Sequence, residues 1–111
     1  MVIIRLLIVV LFLFPSAARV WADNQAAAVD SLKEEAAQGY SWAQAALGFM
    51  YSQGQGVPQD YAAALKWYRL AATHGNAAAQ YNLGVLYFRG QGVAQDYAEA
   101  LKWYRLAAAQ G

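Results

Sequence analysis

The sequence predicts an all-α protein of stacked helix–turn–helix repeats, and three observations carry that prediction. Residues Ala43–Gly75 and Ala79–Gly111 align without a gap at a spacing of 36, with 23 of 33 positions identical. A fixed period of this length marks one supersecondary unit used more than once, and such units stack into a solenoid. Within each copy, apolar and small residues recur at helical spacing. Glycines fall between and after the helical stretches, where the chain must turn.

Residues 1–14 (MVIIRLLIVVLFLF) hold one charge, Arg5, and an unbroken apolar run from Leu6 to Phe14. Pro15 stops the run, and Val20-Trp21-Ala22 places small residues at −3 and −1 of a cut before Asp23. Residues 1–22 therefore read as a secretory signal peptide. A spanning helix needs roughly 20 apolar residues, and Arg19 interrupts any extension of the run. The alternative is an uncleaved N-terminal anchor in the inner membrane. No cysteine follows the run, which excludes a lipid anchor through an N-terminal Cys.

The full chain carries a net charge of +1. Loss of residues 1–22 removes Arg5 and Arg19, leaving six basic side chains against seven acidic ones, a net charge of −1. A near-neutral domain offers no electrostatic footprint for nucleic acid or anionic lipid. The absence of cysteine excludes a disulfide framework. Burial alone must hold the mature chain.

Gly39, Gly75 and Gly111 are spaced by 36, so Gln25–Gln38 (QAAAVDSLKEEAAQ) reads as the second helix of a leading half repeat over 23–40. The first full repeat spans 41–75. Its first helix puts Ala43, Leu47, Gly48 and Tyr51 on one face. Gly54 suits a helix C-cap, and Gly56 with Pro58 makes a turn. Asp60 is placed as an N-cap for a second helix from Tyr61, which presents Ala64, Tyr68, Ala71 and Ala72 on one side and stops at His74-Gly75. The second repeat, 76–111, follows the same plan. There Asp96 and Glu99 form a D-x-x-E capping box, which the first copy lacks because Ala63 replaces the acid. Five helices are expected in all.

The pattern A-Q-x-x-L-G-x-x-Y-x-x-G-x-G-V-x-x-D-Y-x-x-A-x-x-W-Y-x-x-A-A-x-x-G resembles the Sel-one-like repeat (SLR), a relative of the tetratricopeptide repeat. It is carried by Ala43, Leu47, Gly48, Tyr51, Gly54, Gly56, Val57, Asp60, Ala64, Trp67, Tyr68, Ala71, Ala72 and Gly75, and by the matching set from Ala79 to Gly111. Residues 25–40 match only through their Ala-Ala-x-Gly ending. The resemblance implies an α/α superhelical solenoid serving as a protein-interaction scaffold, often in exported bacterial proteins. A periplasmic or secreted location is expected, with other proteins or peptides as partners. β-Lactamase-like members of the resembled family are cysteine-rich, and this chain has no cysteine.

Candidate chemistry is sparse. His74 is the only histidine and is matched by Gln38 and Gln110, which reads as a solvated turn residue. One histidine without cysteine supports no structural zinc site. Gly54-Gln-Gly-Val-Pro-Gln lacks the last glycine of G-x-G-x-x-G and follows a helix, so it reads as a turn. Capping accounts for Asp60 and Asp96. Trp67-Tyr68 and Trp103-Tyr104 read as core and inter-repeat filler. Lys66, Arg69, Lys102 and Arg105 read as a solvated basic stripe. No catalytic residue, metal ligand or cofactor is expected; a hydrolase acting on cell-wall or β-lactam substrates is the alternative class.

The mismatches between copies are more informative. Six of ten fall on the first helix, at 45/81, 46/82, 49/85, 50/86, 52/88 and 53/89. Positions 45, 49, 52 and 53 share a face that reads as free to vary. In the second copy this face holds Tyr81, Val85, Phe88 and Arg89, with Asn82 beside it, and these five are the candidate partner-binding residues. A chain that stops at Gly111, with no polar capping helix, is also expected to self-associate through its last helix or to be the terminal fragment of a longer scaffold.

Overall fold

The structure, a computed structural model, describes residues 15–111. Among the described residues it contains five helices and no strand: α1 Pro15–Ala37, α2 Ser41–Gln53, α3 Tyr61–Thr73, α4 Ala77–Arg89 and α5 Tyr97–Ala108. Each helix packs on the next in chain order. Helices α2–α3 and α4–α5 are the two repeats, and α1 leads them. This is the all-α repeat solenoid that the period predicts.

Small residues set how closely the helices approach. A Cβ added to Gly48 in α2 would lie 2.5 Å from the Tyr68 ring of α3, and one on Gly84 would lie 2.8 Å from Tyr104. Only glycine lets the tyrosine of the second helix lie flat on the first. Around this contact Ala64, Ala71, Ala72 and Ala79 are buried, and Leu47 and Leu83 are the largest side chains that are fully enclosed. The core is therefore thin, with one leucine anchor per repeat. Burial also pushes the Tyr68 phenol above its ordinary value near 10.

The turns are built twice on one plan. Gly54 and Gly90 adopt φ of 68° and 66°, end the first helices in left-handed geometry, and donate to Met50 O and Leu86 O. The Gln59 amide donates to Ser52 O at 2.9 Å, and Gln95 to Phe88 O at 2.8 Å, satisfying carbonyls the helix leaves open. Asp60 and Asp96 cap α3 and α5 by accepting from Ala63 N and Glu99 N at 3.1 Å. The expected capping box is only half made. The Glu99 carboxylate accepts from Trp103 Nε1 at 3.2 Å and sits 3.9 Å from Lys102, while Asp96 N donates to Tyr87 O. An indole four residues on competes successfully for the carboxylate.

Specific bonds join successive repeats. Gln44 Nε2 donates to Ala36 O and Gln80 Nε2 to Ala72 O, both at 3.2 Å and both buried. Arg69 Nη2 donates to Tyr87 Oη at 2.6 Å, so this member of the expected basic stripe ties α3 to α4. Lys66 and Lys102 lie over the Trp67 and Trp103 rings at 5.9 and 5.5 Å. The Lys102–Glu99 pair is exposed and contributes little.

Helix α1 is longer than the half repeat read from the sequence, running from Pro15 rather than from Gln25. Nothing in 16–24 (SAARVWADN) breaks a helix, and Asn24 lies within it. No helix among the described residues is long and apolar enough to cross a membrane. The apolar run of the expected leader, residues 6–14, lies outside the described residues.

Two predictions follow from the glycine–tyrosine contact. Overpacking at Gly48→Ala costs about 1–3 kcal/mol or more, against about 1 kcal/mol that Ala gains over Gly in a helix. Urea unfolding is expected to show a net loss for Gly48→Ala and a smaller one for Gly84→Ala, because half-buried Tyr104 can swing outward. A phenol with a raised pKa holds its proton in the fold after the unfolded chain has lost it. Stability should therefore be intact below about pH 10 and fall as pH rises beyond it, and Tyr68→Phe should weaken that alkaline fall.

Candidate interaction surface

The five residues singled out from the sequence all lie on α4, but helix geometry divides them between two faces. Asn82, Val85 and Arg89 follow i, i+3, i+7 and turn toward α2. Tyr81 and Phe88, seven apart, turn toward α5. The first set lines a groove of about 140 Å³ with Phe49 and Gln53 of α2, over a floor that includes Tyr61 and Tyr68. The groove exists because α2 and α4 barely touch: α2 packs mainly on α3, and α4 on α5 and α3. It offers a guanidinium, the amides of Gln53, Asn82 and Gln91, and apolar walls. Among the described residues Arg89 has no ion-pair partner.

Tyr81 and Phe88 meet the rings of α5 instead. Tyr81 lies 5.5 Å from Tyr104 between centroids, and Phe88 packs edge-on against Tyr97 at 5.1 Å. Both remain exposed, by 56% and 49%. Desolvation and the neighbouring Tyr81 raise the Tyr104 phenol, while Arg89 opposes them, so Arg89 is felt on both faces.

Their first-copy counterparts explain the division. Ala45, matched with Tyr81, packs against the core formed by α3 and α4, and Ser52, matched with Phe88, is buried. Positions 45 and 52 therefore do not belong to a free face. Ala45 is a contact position covered by the following repeat, and Ser52 is buried at the base of the groove, whereas Phe49 and Gln53 stay exposed.

The end of α5 shows the same effect. Ala71 and Ala72 of α3 are buried beneath α4, but Ala108 of α5 is exposed and Tyr97 and Leu101 are 60% and 48% exposed. An apolar depression of about 610 Å³ lies between Ala77, Ala78 and Tyr81 on one side and Tyr104, Ala107 and Ala108 on the other. A third aromatic pair, at the other end of the stack, was not singled out from the sequence. Tyr40 and Trp42 at the start of α2 are 51% and 54% exposed, with centroids 6.3 Å apart. Their counterparts are Asn76 and Ala78, a mismatch that a comparison begun at Ala43 does not reach.

His74 is exposed and its Nδ1 donates to Leu70 O at 2.8 Å, at the end of its own helix. In the second copy Gln110 stands at this position and donates from Nε2 to Gln80 Oε1 at 2.8 Å. The first-copy acceptor, Gln44 Oε1, is buried without a partner. The histidine is too short and is turned back on its helix. Among the described residues no group of three or more His, Cys, Asp or Glu could hold a metal ion.

Two stretches, residues 43–76 and 77–111, match the Sel1 repeat. Among solved structures, a protective antigen present in uropathogenic Escherichia coli strains and displaying an SLR fold superposes with a TM-score of 0.73 at 54% identity. That match covers 74% of this chain and 18% of the antigen. A Sel1 repeat protein from Oxalobacter formigenes gives a TM-score of 0.65 at 44% identity, covering 67% of this chain and 30% of its own. The chain thus spans less than a third of the length of either. No curated protein matches it significantly.

The unpaired Gln44 carbonyl yields a third prediction. His74→Gln places the donor that Gln110 supplies in the second copy, and a completed buried hydrogen bond contributes about 0.5–1.5 kcal/mol. The variant should gain that much in urea unfolding, and Gln110→His should lose a similar amount.

Proposed function

The chain belongs to the Sel1 repeat family, whose members are in general protein-interaction scaffolds, and from that premise we propose that it is an exported, non-catalytic scaffold. It holds a partner protein or peptide in the groove between α2 and α4. The observation that carries this reading is the groove itself. It is open, it is lined by residues that differ between two otherwise near-identical repeats, and it carries a guanidinium with no acidic partner among the described residues. Phe49 and Val85 supply apolar walls, Gln53 and Asn82 supply amides, and Arg89 supplies charge. The complementary ligand is a peptide segment with an apolar side chain close to a carboxylate, since a guanidinium pairs best with planar anions.

Export rests on the leader pattern of residues 1–22. Tyr81 and Phe88 belong to a different surface in this reading. The face that α3 uses to hold α4 is presented again by α5, and it fits a helix of a further repeat or of a second copy.

Affinity capture from a bacterial envelope fraction tests the groove. Asn82→Ala with Arg89→Ala is expected to reduce partner retention at least about tenfold, equivalent to 1.4 kcal/mol. Tyr81→Ala should leave capture by the groove intact. Unchanged retention by the double variant, with its helical signal and unfolding midpoint preserved, would refute the assignment.

A further inference from the structure

Helix α1 occupies the place of a second helix but starts ten residues ahead of the repeat register. That register is fixed by the turns. Each turn seats on the start of the preceding second helix, so that a Cβ on Gly92 would meet Tyr61 O at 2.5 Å and one on Gly56 would meet Gln25 O at 2.9 Å. Gln25 therefore stands where Tyr61 stands, and Asn24 stands where Asp60 and Asp96 stand. The sequences agree in this register: NQAAAV from Asn24, DYAAAL from Asp60 and DYAEAL from Asp96.

Asp60 and Asp96 are N-caps, with extended backbones at φ −152° and −149° and side chains that accept from the N–H three residues on. Asparagine is among the best residues for that task. In the full chain Asn24 cannot perform it, because the helix runs through it. In the stretch just ahead of it Arg19–Asn24 are all exposed, and among the described side chains the first buried one is Val29. Val20 and Trp21 stand 59% and 44% in solvent, an apolar exposure the fold does not use.

We propose that a leader peptidase cuts between Ala22 and Asp23, and that the cut creates the native start of α1 by releasing Asn24 to become its N-cap. This rests on the export reading above. Water adds across the Ala22–Asp23 amide, leaving a carboxyl on Ala22 and a free amine on Asp23. The scissile bond lies in a helical segment whose side chains are all exposed, and such a segment opens at low cost to the extended form a protease binds. After the cut, α1 matches α3 and α5 in register, and the Asp23 carboxylate lies beside the positive end of the helix.

The test uses the full chain, tagged at its C-terminus and expressed in a bacterium with intact export. Intact mass and N-terminal sequencing are expected to give a product beginning at Asp23. A product beginning at Arg19, from a cut after the small residues Ser16-Ala17-Ala18, would overturn the cut-and-cap inference while leaving export standing. A chain that keeps Met1 would sink both.

The cap itself is read from Asn24→Ala in two backgrounds. In the processed chain Tm should fall by about 4–8 °C, the loss of one N-cap in a domain of this size. In an Ala22→Phe chain, where the bulky −1 residue blocks cleavage, Asn24 stays inside the helix. There the same substitution should leave Tm unchanged or raise it, since Ala is the better helix former. Both are measured in the same detergent. An equal loss in both chains, or no loss in the processed one, would overturn the capping role.

Discussion

A tyrosine ring lying across a glycine sets the dimensions of this protein. Tyr68 packs on the bare backbone of α2 at Gly48, and Tyr104 does the same on α4 at Gly84. With the two axes drawn that close, only alanine fits along the rest of the seam, which is why the buried faces of α3 and α5 read as alanines between aromatics. A core made this way encloses few large side chains, so its stability depends on complete coverage of modest surfaces. Shape complementarity replaces bulk.

Coverage comes from the next repeat, and its consequences are visible in residues that do not differ at all. Ala72 is buried and Ala108 is exposed; Tyr68 is enclosed and Tyr104 is half-buried. Position in the stack, rather than chemical identity, decides the environment. The same logic applies to the differences. Ala45 is small where the core of α3 and α4 packs on it, and Tyr81 and Phe88 are large where, among the described residues, only the rings of α5 meet them. The groove residues Asn82, Val85 and Arg89 escape this constraint because α2 and α4 hardly meet.

Much of the architecture was legible because the repeat forces each local signal to appear twice. Gly54 and Gly90, Asp60 and Asp96, and the alanine seams all occupy the roles their spacing predicts. What could not be read depends on distance in space. The division of the five candidate residues into two faces requires knowing which positions the following repeat covers. Glu99 has two possible partners, the Asp96 backbone three residues before it and Trp103 four residues after it, and the structure places it on Trp103. The proposed capping role of Asn24 is hidden because the helix continues through the stretch before it. Gln44 and Gln80 hold the same place in the repeat, and the third partner, His74 in place of Gln110, separates a satisfied amide from an unsatisfied one.

The near identity of α3 and α5 carries a cost in assembly. Because both present the same seam, α4 is complementary to either, and chemistry alone does not tell it where to dock. Connectivity makes the choice: three residues, His74, Gly75 and Asn76, tether α4 to α3 and give that pairing a high effective concentration. Folding from such sequence-local pairings is fast. The tether protects only within one molecule. In a crowded compartment, an unfinished chain can lend its α4 to a neighbour's open seam, and the exchange of identical elements that results is a recognised misassembly route of repeat proteins. Speed of local closure, more than equilibrium stability, is what guards this chain against its own symmetry.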